Sequence, residues 1–315
     1  MKAQPDTKIH PWRFALQTVE TDKPAVLVMV VDHSGSVPGV TGTFVVVTAD
    51  GQAGTIGGGA AEHAMVERAR RHRGAPELVE FVHTESGDGT LCNGVQLFCM
   101  LPLTGQDARH LTRIVAALQN HETGTLGLSP TGLEFDEAEP DAPSFDRDDD
   151  DWSFTHPIGL LDTLTIIGGG HVALALSRVM ATLPFRIIVL DNRTDLQTMA
   201  DNPFAHQMGT VSYDEIGDHV PEGDRSWVVV MTYGHKHDRR VVENLLAHDV
   251  RYLGLLGSAT KVKRLFADME AERADPEALA RVRAPIGIPI RSHTPEEIAV
   301  SVAGEIIGIR NGAIK

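Results

Sequence analysis

Residues 164–191 read LTIIGGGHVALALSRVMATLPFRIIVLD, and the order of features in this stretch decides the fold. Leu164 to Ile167 is a short apolar run suited to a strand buried on both faces. Gly168, Gly169 and Gly170 follow at once, and Val172, Leu174, Ala175, Leu176, Val179 and Met180 then recur at helical spacing. A second apolar run, Phe185 to Leu190, ends on Asp191. The spacing predicts a β–turn–α–β unit with G-x-G-x-x-A at Gly168, Gly170 and Ala173.

Backbone geometry explains the composition. Glycine turns the chain sharply and lets a phosphate approach the main chain without meeting a Cβ, while the small Ala173 lets helix and strand pack closely. The helix then opens with unpaired N–H groups and a partial positive charge, where His171 stands first. Asp191, at the tip of the second strand, is placed to accept a hydrogen bond from a ribose hydroxyl. A Rossmann-type unit follows from the pattern; a bound dinucleotide does not, because folds outlive their ligands.

With 315 residues the chain has room for two domains with separate cores. The composition is that of a globular protein, and no apolar run approaches the roughly 20 residues that span a bilayer. The first residues, MKAQPDTKIHPW, lack the apolar core of a secretory signal. Only Cys92 and Cys99 occur, too few for a disulfide framework or a paired-CxxC zinc site, so a reducing cytoplasm is the expected compartment. The net charge of −15 argues against nucleic acid as a partner, since that binding rests on Lys and Arg. Ten acids and one Arg between Glu134 and Asp151 supply −9 of that charge. Residues 134–157 therefore read as an acidic, solvated linker between an N-terminal domain, 1–133, and a C-terminal domain, 158–315.

Before the linker the pattern is mixed. Residues 10–20 suit an amphipathic helix, Ala25 to Val31 a buried strand, and TFVVVT with Ala49-Asp50-Gly51 a hairpin. Gly57, Gly58 and Gly59 stand between an extended segment and a helix, which makes either an anion seat or a helix start needing positive φ. Val95, Leu97, Cys99 and Leu101 alternate, so Cys99 is a packed core thiol, whereas Cys92 lies in a loop ahead of Gly94 and can be a thiolate or a metal ligand. The expected class is α/β: a smaller α+β N-terminal domain, then a Rossmann-like, doubly wound parallel sheet.

In the second domain, Trp227 to Met231 is a buried strand that ends in TYGHKHD. His235, His237 and Asp238 gather there, at the carboxyl end of a parallel strand where ligand crevices form; they are candidates for proton transfer or half of a metal site, or a polar loop capping the next helix. RYLGLLG (251–257) is another strand; Gly257 leads to Ser258, a good N-cap for a helix bearing Lys261 and Lys263. Thr294-Pro295-Glu296-Glu297 is a helix start with a capping box.

These segments together resemble the XdhC/CoxI family of accessory proteins that mature xanthine dehydrogenase and related molybdenum hydroxylases. The likeness rests on GSVPGVTG (35–42), TADG and GTIGGG (48–59), LCNG (91–94), IIGGGHVALAL (166–176) with VLDNR (189–193), VVVMTYGHKHD (228–238), YLGLLGSATKV (252–262), and APIGIPI with TPEEIAVSVAGEI (284–306). Three positions depart from the common pattern: Gly39 where Arg is frequent, Ala60 where Cys is frequent, and Asn93 where a second Gly is usual.

The resemblance implies a cytoplasmic chaperone, more than an enzyme, that binds molybdenum cofactor (molybdopterin), shelters it during sulfuration by a cysteine desulfurase, and inserts it into an apo-hydroxylase. It also implies a homodimer. Residues matching the family's cofactor-side motifs are Ser36, Gly57, Gly58, Gly59, Cys92, Gly94, Gly168, Gly170, His171, Asp191, Gly257 and Ser258, with Cys92 the candidate metal ligand. The physics of the Rossmann unit alone fits an NAD(P)-dependent oxidoreductase equally well, with His235 or His237 as proton donor.

Overall fold

The computed structural model describes residues 9–83, 94–138, 142–148, 151–159 and 162–314. The chain divides into two compact units, Met1–Gly159 and Leu160–Lys315.

The first unit runs α1 (Ile9–Glu20), β1 (Ala25–Gly35), β2 (Phe44–Thr48), β3 (Gln52–Thr55), α2 (Gly59–Arg71), β4 (Glu77–Val82), β5 (Gly94–Leu103), α3 (Ala108–Gln119), β6 (Gly124–Ser129), β7 (Gly132–Asp136), β8 (Ser144–Arg147) and β9 (Trp152–Ile158). An antiparallel sheet in the order β3-β2-β1-β5-β4 forms its centre. Strand β1 is apolar without alternation because both of its faces are covered. Leu27, Met29 and Val31 pack with Trp12 of α1 and Leu111 and Ile114 of α3, while Val26, Val28 and Val30 pack with Ala61, Met65 and Val66 of α2. Each such fully buried aliphatic side chain contributes about 1.5–3 kcal/mol. Cys99 sits in the α1/α3 layer, and burial pushes its thiol pKa up to about 12, as a packed core thiol requires.

The acidic stretch is not a linker in its described parts. Strands β8 and β9 lie within it, and a second antiparallel sheet runs β7-β6-β9-β8. Beneath the acids is a period of two: Leu133, Phe135, Phe154 and Ile158 are buried in the same core as α1 and α3, while Glu134 and Asp136 point to solvent. Counting charges concealed that alternation.

The second unit comprises β10 (Asp162–Ile167), α4 (His171–Met180), β11 (Phe185–Asp191), α5 (Gln197–Ala200), β12 (Gln207–Thr210), β13 (Gly223–Val230), α6 (His235–Leu245), β14 (Val250–Leu255), α7 (Ala259–Ala271), α8 (Pro276–Ala280), β15 (Val282–Arg283) and α9 (Pro295–Arg310). Its strands pair in parallel in the order β12-β11-β10-β13-β14-β15. Counted from β10, that is third, second, first, fourth, fifth, sixth, the order of dinucleotide-binding folds. Helices cover both faces. Leu164, Ile166, Ile187 and Val189 pack with α4 and α9, whereas Ile167, Ile188, Leu190 and Val230 pack with α6 and α7.

The capping box at α9 forms as its residues predict: Thr294 Oγ1 accepts from Glu297 N at 3.2 Å, and the Glu297 carboxylate accepts from Thr294 N at 3.2 Å. Among the described residues no helix is long and apolar enough to cross a membrane.

Candidate functional site

The candidate residues of the second unit lie at and just beyond the carboxyl ends of β10, β11, β13 and β14. Each glycine of the first turn has a separate job. Gly168 has φ +111° and a Cβ there would meet Met231 O at 2.4 Å, so glycine is needed for conformation and for close approach. A Cβ on Gly169 would meet Met199 Cγ at 2.6 Å; Leu196 and α5 lie over it, and Thr198 Oγ1 donates to its carbonyl. Only Gly170, which opens α4 without a side-chain cap, faces open space, and His171 beside it is exposed.

Asp191 is fully buried and already engaged. Its carboxylate accepts from Gly169 N at 2.7 Å, Arg193 N at 2.9 Å, Arg193 Nε at 2.9 Å and Arg193 Nη2 at 2.8 Å. Burial alone would raise its pKa, but the hydrogen bonds from Arg193 and from the Gly169 amide hold it below the ordinary value. The Arg193 guanidinium stands 4.2 Å from the centroid of the Tyr233 ring, and His237 lies tilted at 4.6 Å from the same ring and edge-on at 5.6 Å from Tyr213. The arginine thus holds the acceptor that a ribose hydroxyl would use.

The TYGHKHD loop does not bring His235, His237 and Asp238 together as an acid–base group. His235 is exposed at the start of α6, His237 lies among the tyrosines, and Asp238 turns inward. Its buried carboxylate accepts from Thr232 N at 3.2 Å, Thr232 Oγ1 at 2.6 Å and Lys261 Nζ at 2.6 Å, bracing the end of β13 against α7. Ser258 caps α7 by accepting from Lys261 N, and Gly257 lies under the Lys261 stem. Among the described residues no group of three His, Cys, Asp or Glu is placed to hold a metal ion.

In the first unit three motif segments meet backbone to backbone. A Cβ on Gly39 would sit 2.0 Å from Ile56 O, one on Gly57 would sit 2.4 Å from Gly39 N, and one on Gly94 would sit 2.5 Å from Ser34 O and 2.8 Å from Ser36 O. The loop holding exposed Ser36, the glycine triplet and the start of β5 are therefore one locus. Gln96, fully buried, ties it down by donating to Gly39 O at 2.7 Å while accepting from His83 Nε2 at 2.7 Å.

Gly58 and Gly59 have φ of +77° and +70° with nothing within 4 Å of a Cβ, so their glycine is conformational and their outer face is open. Part of the anion-binding capacity of this turn is used internally. The Glu62 carboxylate accepts from Thr55 Oγ1 at 2.5 Å, Ile56 N at 2.9 Å and Gly58 N at 3.1 Å. Burial alone would raise its pKa, but these bonds outweigh it and keep the value low. Cys92 lies outside the described residues.

Sequence reasoning did not single out Arg193, Tyr233, Glu62 or Gln96. Arg193 had a local signal, a basic residue two positions after the strand-ending acid; the Gln96 contact spans 57 positions and had none.

A two-unit protein in which an α+β unit is followed along the chain by a unit with a parallel Rossmann sheet, with glycine turns at helix openings of both, is the class these features define. Matches to known families give the particular one: the chain matches the XdhC and CoxI family over residues 18–82 and the XdhC Rossmann domain over 164–306, and it belongs to the XdhC/CoxI family.

Among relatives, it is 25% identical over 322 aligned positions to a Bacillus subtilis protein described as a probable subunit of xanthine dehydrogenase, covering 93% of this chain and 95% of that one. It is 31% identical over 156 residues to an uncharacterized protein, YqeB, of Escherichia coli, a match that takes in 49% of this chain and spans only 28% of that protein. A crystal structure described as a xanthine dehydrogenase from Bacillus halodurans superposes with a TM-score of 0.74 at 22% identity, covering 98% of this chain and 96% of that one, which establishes a shared fold.

Proposed function

We propose that this protein is an accessory factor for a xanthine dehydrogenase-type molybdenum hydroxylase. It binds molybdenum cofactor as cargo, supports its sulfuration by a cysteine desulfurase, and passes it to the apo-enzyme. The observation that carries the reading is the convergence of Ser36, Gly57–Gly59 and Gly94 on one locus of the first unit, with Gly58 and Gly59 held at positive φ and open outward. The family membership and the Bacillus subtilis relative's name support it from a separate direction.

The cargo is a phosphorylated pterin dithiolene, and the chain offers matching groups. The first amides of α2, which has no side-chain cap, suit an anion, and the flat backbone of Gly58 and Gly59 lets a planar ring come close. Cys92 is the proposed thiol near the metal end. On this reading the chain binds, orients and shields; covalent steps belong to the desulfurase and the hydroxylase. We also propose that it acts as a homodimer.

The competing reading, an NAD(P)-dependent oxidoreductase, draws on the strand order of the second unit. It must contend with Asp191 already bonded by Arg193 and with Gly169 roofed by Met199.

The deciding experiment is purification of the full chain from cells that make molybdopterin, followed by pterin fluorescence after oxidation and by activation of apo-hydroxylase. Retained pterin and restored hydroxylase activity are expected, both reduced in Cys92→Ser. Absence of pterin together with steady NAD(P)H oxidation would replace this reading with the oxidoreductase. Sedimentation and desulfurase pull-down test the dimer and the sulfur donor.

A further inference from the structure

Arg193 and Asp191 meet in a way that describes a ligand. The guanidinium presents two roughly parallel N–H donors to the two carboxylate oxygens, Nε to Oδ1 at 2.9 Å and Nη2 to Oδ2 at 2.8 Å. Its Cζ lies over the Tyr233 ring, 4.2 Å from the centroid. A planar group with a paired donor edge, seated over an aromatic ring, is thus held at this strand end.

The 2-amino-4-oxopyrimidine ring of pterins and guanine carries the same edge, a ring N–H beside an exocyclic amino group on one carbon. Adenine does not. Its Watson–Crick edge sets an acceptor nitrogen next to the amino group, so a carboxylate would face one donor and one lone pair.

We propose that Arg193 is an internal stand-in for such a ring: the crevice of the second unit takes a pterin or guanine, its donor edge on Asp191 and its ring on Tyr233, once Arg193 swings outward. Three further observations fit. Asp191 stays fixed when the guanidinium leaves, because the amides of Gly169 and Arg193 still donate to it at 2.7 and 2.9 Å. The Arg193 side chain is 35% exposed and Tyr233 is 55% exposed, so the first can move and the second can receive a ring. Gly170, with open space where a Cβ would be, leaves the first amides of α4 accessible to a phosphate on the same ligand. The inference rests on the proposed cofactor role only in favouring pterin over guanine as the natural occupant.

The test measures binding of three probes, neopterin, GMP and AMP, to the full-length protein by calorimetric titration. In Arg193→Ala the competitor is gone, and neopterin and GMP are expected to bind at least about tenfold tighter than to the parent, the cost of displacing a partly exposed ion pair that also makes a cation–π contact. AMP gains nothing. Adding Asp191→Asn, which replaces one acceptor by a donor, removes the gain.

Tyr233→Leu, an exposed change that leaves the core intact, weakens whatever binding the parent shows and serves if Arg193→Ala melts early. Tighter neopterin than GMP marks a pterin site, and the reverse marks a guanine nucleotide site; either upholds the donor-edge geometry. Equal binding of AMP and GMP, or no binding by an Arg193→Ala protein with a parent-like melting curve, overturns it. Neopterin and GMP carry neither dithiolene nor metal, so their titration reads the crevice of the second unit, while the effect of Cys92→Ser on retained molybdenum cofactor reads the first; each result stands without the other.

Discussion

Lys261→Met should unfold the second unit early, and the structure sets the size of the effect. The Asp238 side chain is fully buried and the Lys261 side chain 25% exposed, with Nζ 2.6 Å from Oδ2. Removing one partner of a fully buried pair costs about 3–5 kcal/mol, because the remaining charge stays without compensation. Here Thr232 still donates through Oγ1 and N, and the lysine end has some access to water, so about 2–3 kcal/mol is the appropriate range.

Methionine keeps the aliphatic stem over Gly257, so packing loss is small. For a unit of this size each kcal/mol moves Tm by about 2–4 °C, giving a fall of about 4–12 °C. Differential scanning calorimetry resolves the two units as separate transitions where their melting points differ, and far-UV circular dichroism confirms the native fold at low temperature. The double variant with Asp238→Asn should recover most of the loss, since a neutral amide still accepts from Thr232 and needs no cation. A single variant melting within about 1 °C of the parent would mean that the pair carries no weight and that the β13–α7 brace is misread.

Three further outcomes are expected. Gly39→Ala places a methyl group 2.0 Å from Ile56 O and should cost more than about 3 kcal/mol, whereas Gly58→Ala, strained only by its backbone angles of φ +77° and ψ −169°, should cost about 1–3 kcal/mol; urea titrations that rank them the other way would remove the backbone-contact account of the first unit. His156, stacked on Phe154, has its pKa pushed by burial down to about 4 from 6.5. The unfolded chain therefore takes up a proton before the folded one does, and the first unit should lose stability as pH falls from about 6.5 to about 4; a His156→Phe protein with the same pH slope in that window would contradict this. Glu62, whose pKa is lowered, makes the same kind of contribution only further down, as pH falls through the carboxylate range. Cys99, fully buried with a raised pKa, should resist iodoacetamide in the native protein and react after urea unfolding, as read by peptide mass spectrometry.

How much was legible depended on whether the signal was local. The β10–α4–β11 unit, the α9 capping box and the hairpin at 49–51 were readable because each is specified by neighbours in sequence. The strands β8 and β9 were not, because ten acids in eighteen positions outweighed Phe145, Trp152, Phe154 and Ile158 as a cue, although the latter alternate as half-buried strands must. At the candidate site the sequence offered carboxylates but not their partners. Asp191 ends β11 and Asp238 lies in the first turn of α6, and each is taken by a basic partner, Arg193 two positions on and Lys261 twenty-three positions on. A sequence shows which carboxylates can reach a crevice; which of them are already satisfied depends on side chains converging from other elements.

The packing of α9 against α4 bears on how the protein is made. Ala173, Leu176 and Met180 on α4 share a core with Ala299, Val302 and Ile306, which follow only after every strand of the parallel sheet. During synthesis the β10–α4–β11 half-fold emerges with that apolar stripe bare and waits for α9 to cover it. General folding helpers and the protein's own abundance in the cell are thus tied to the docking of one apolar helix made after the sheet, and weakening that docking would lower yield before it touched any binding site.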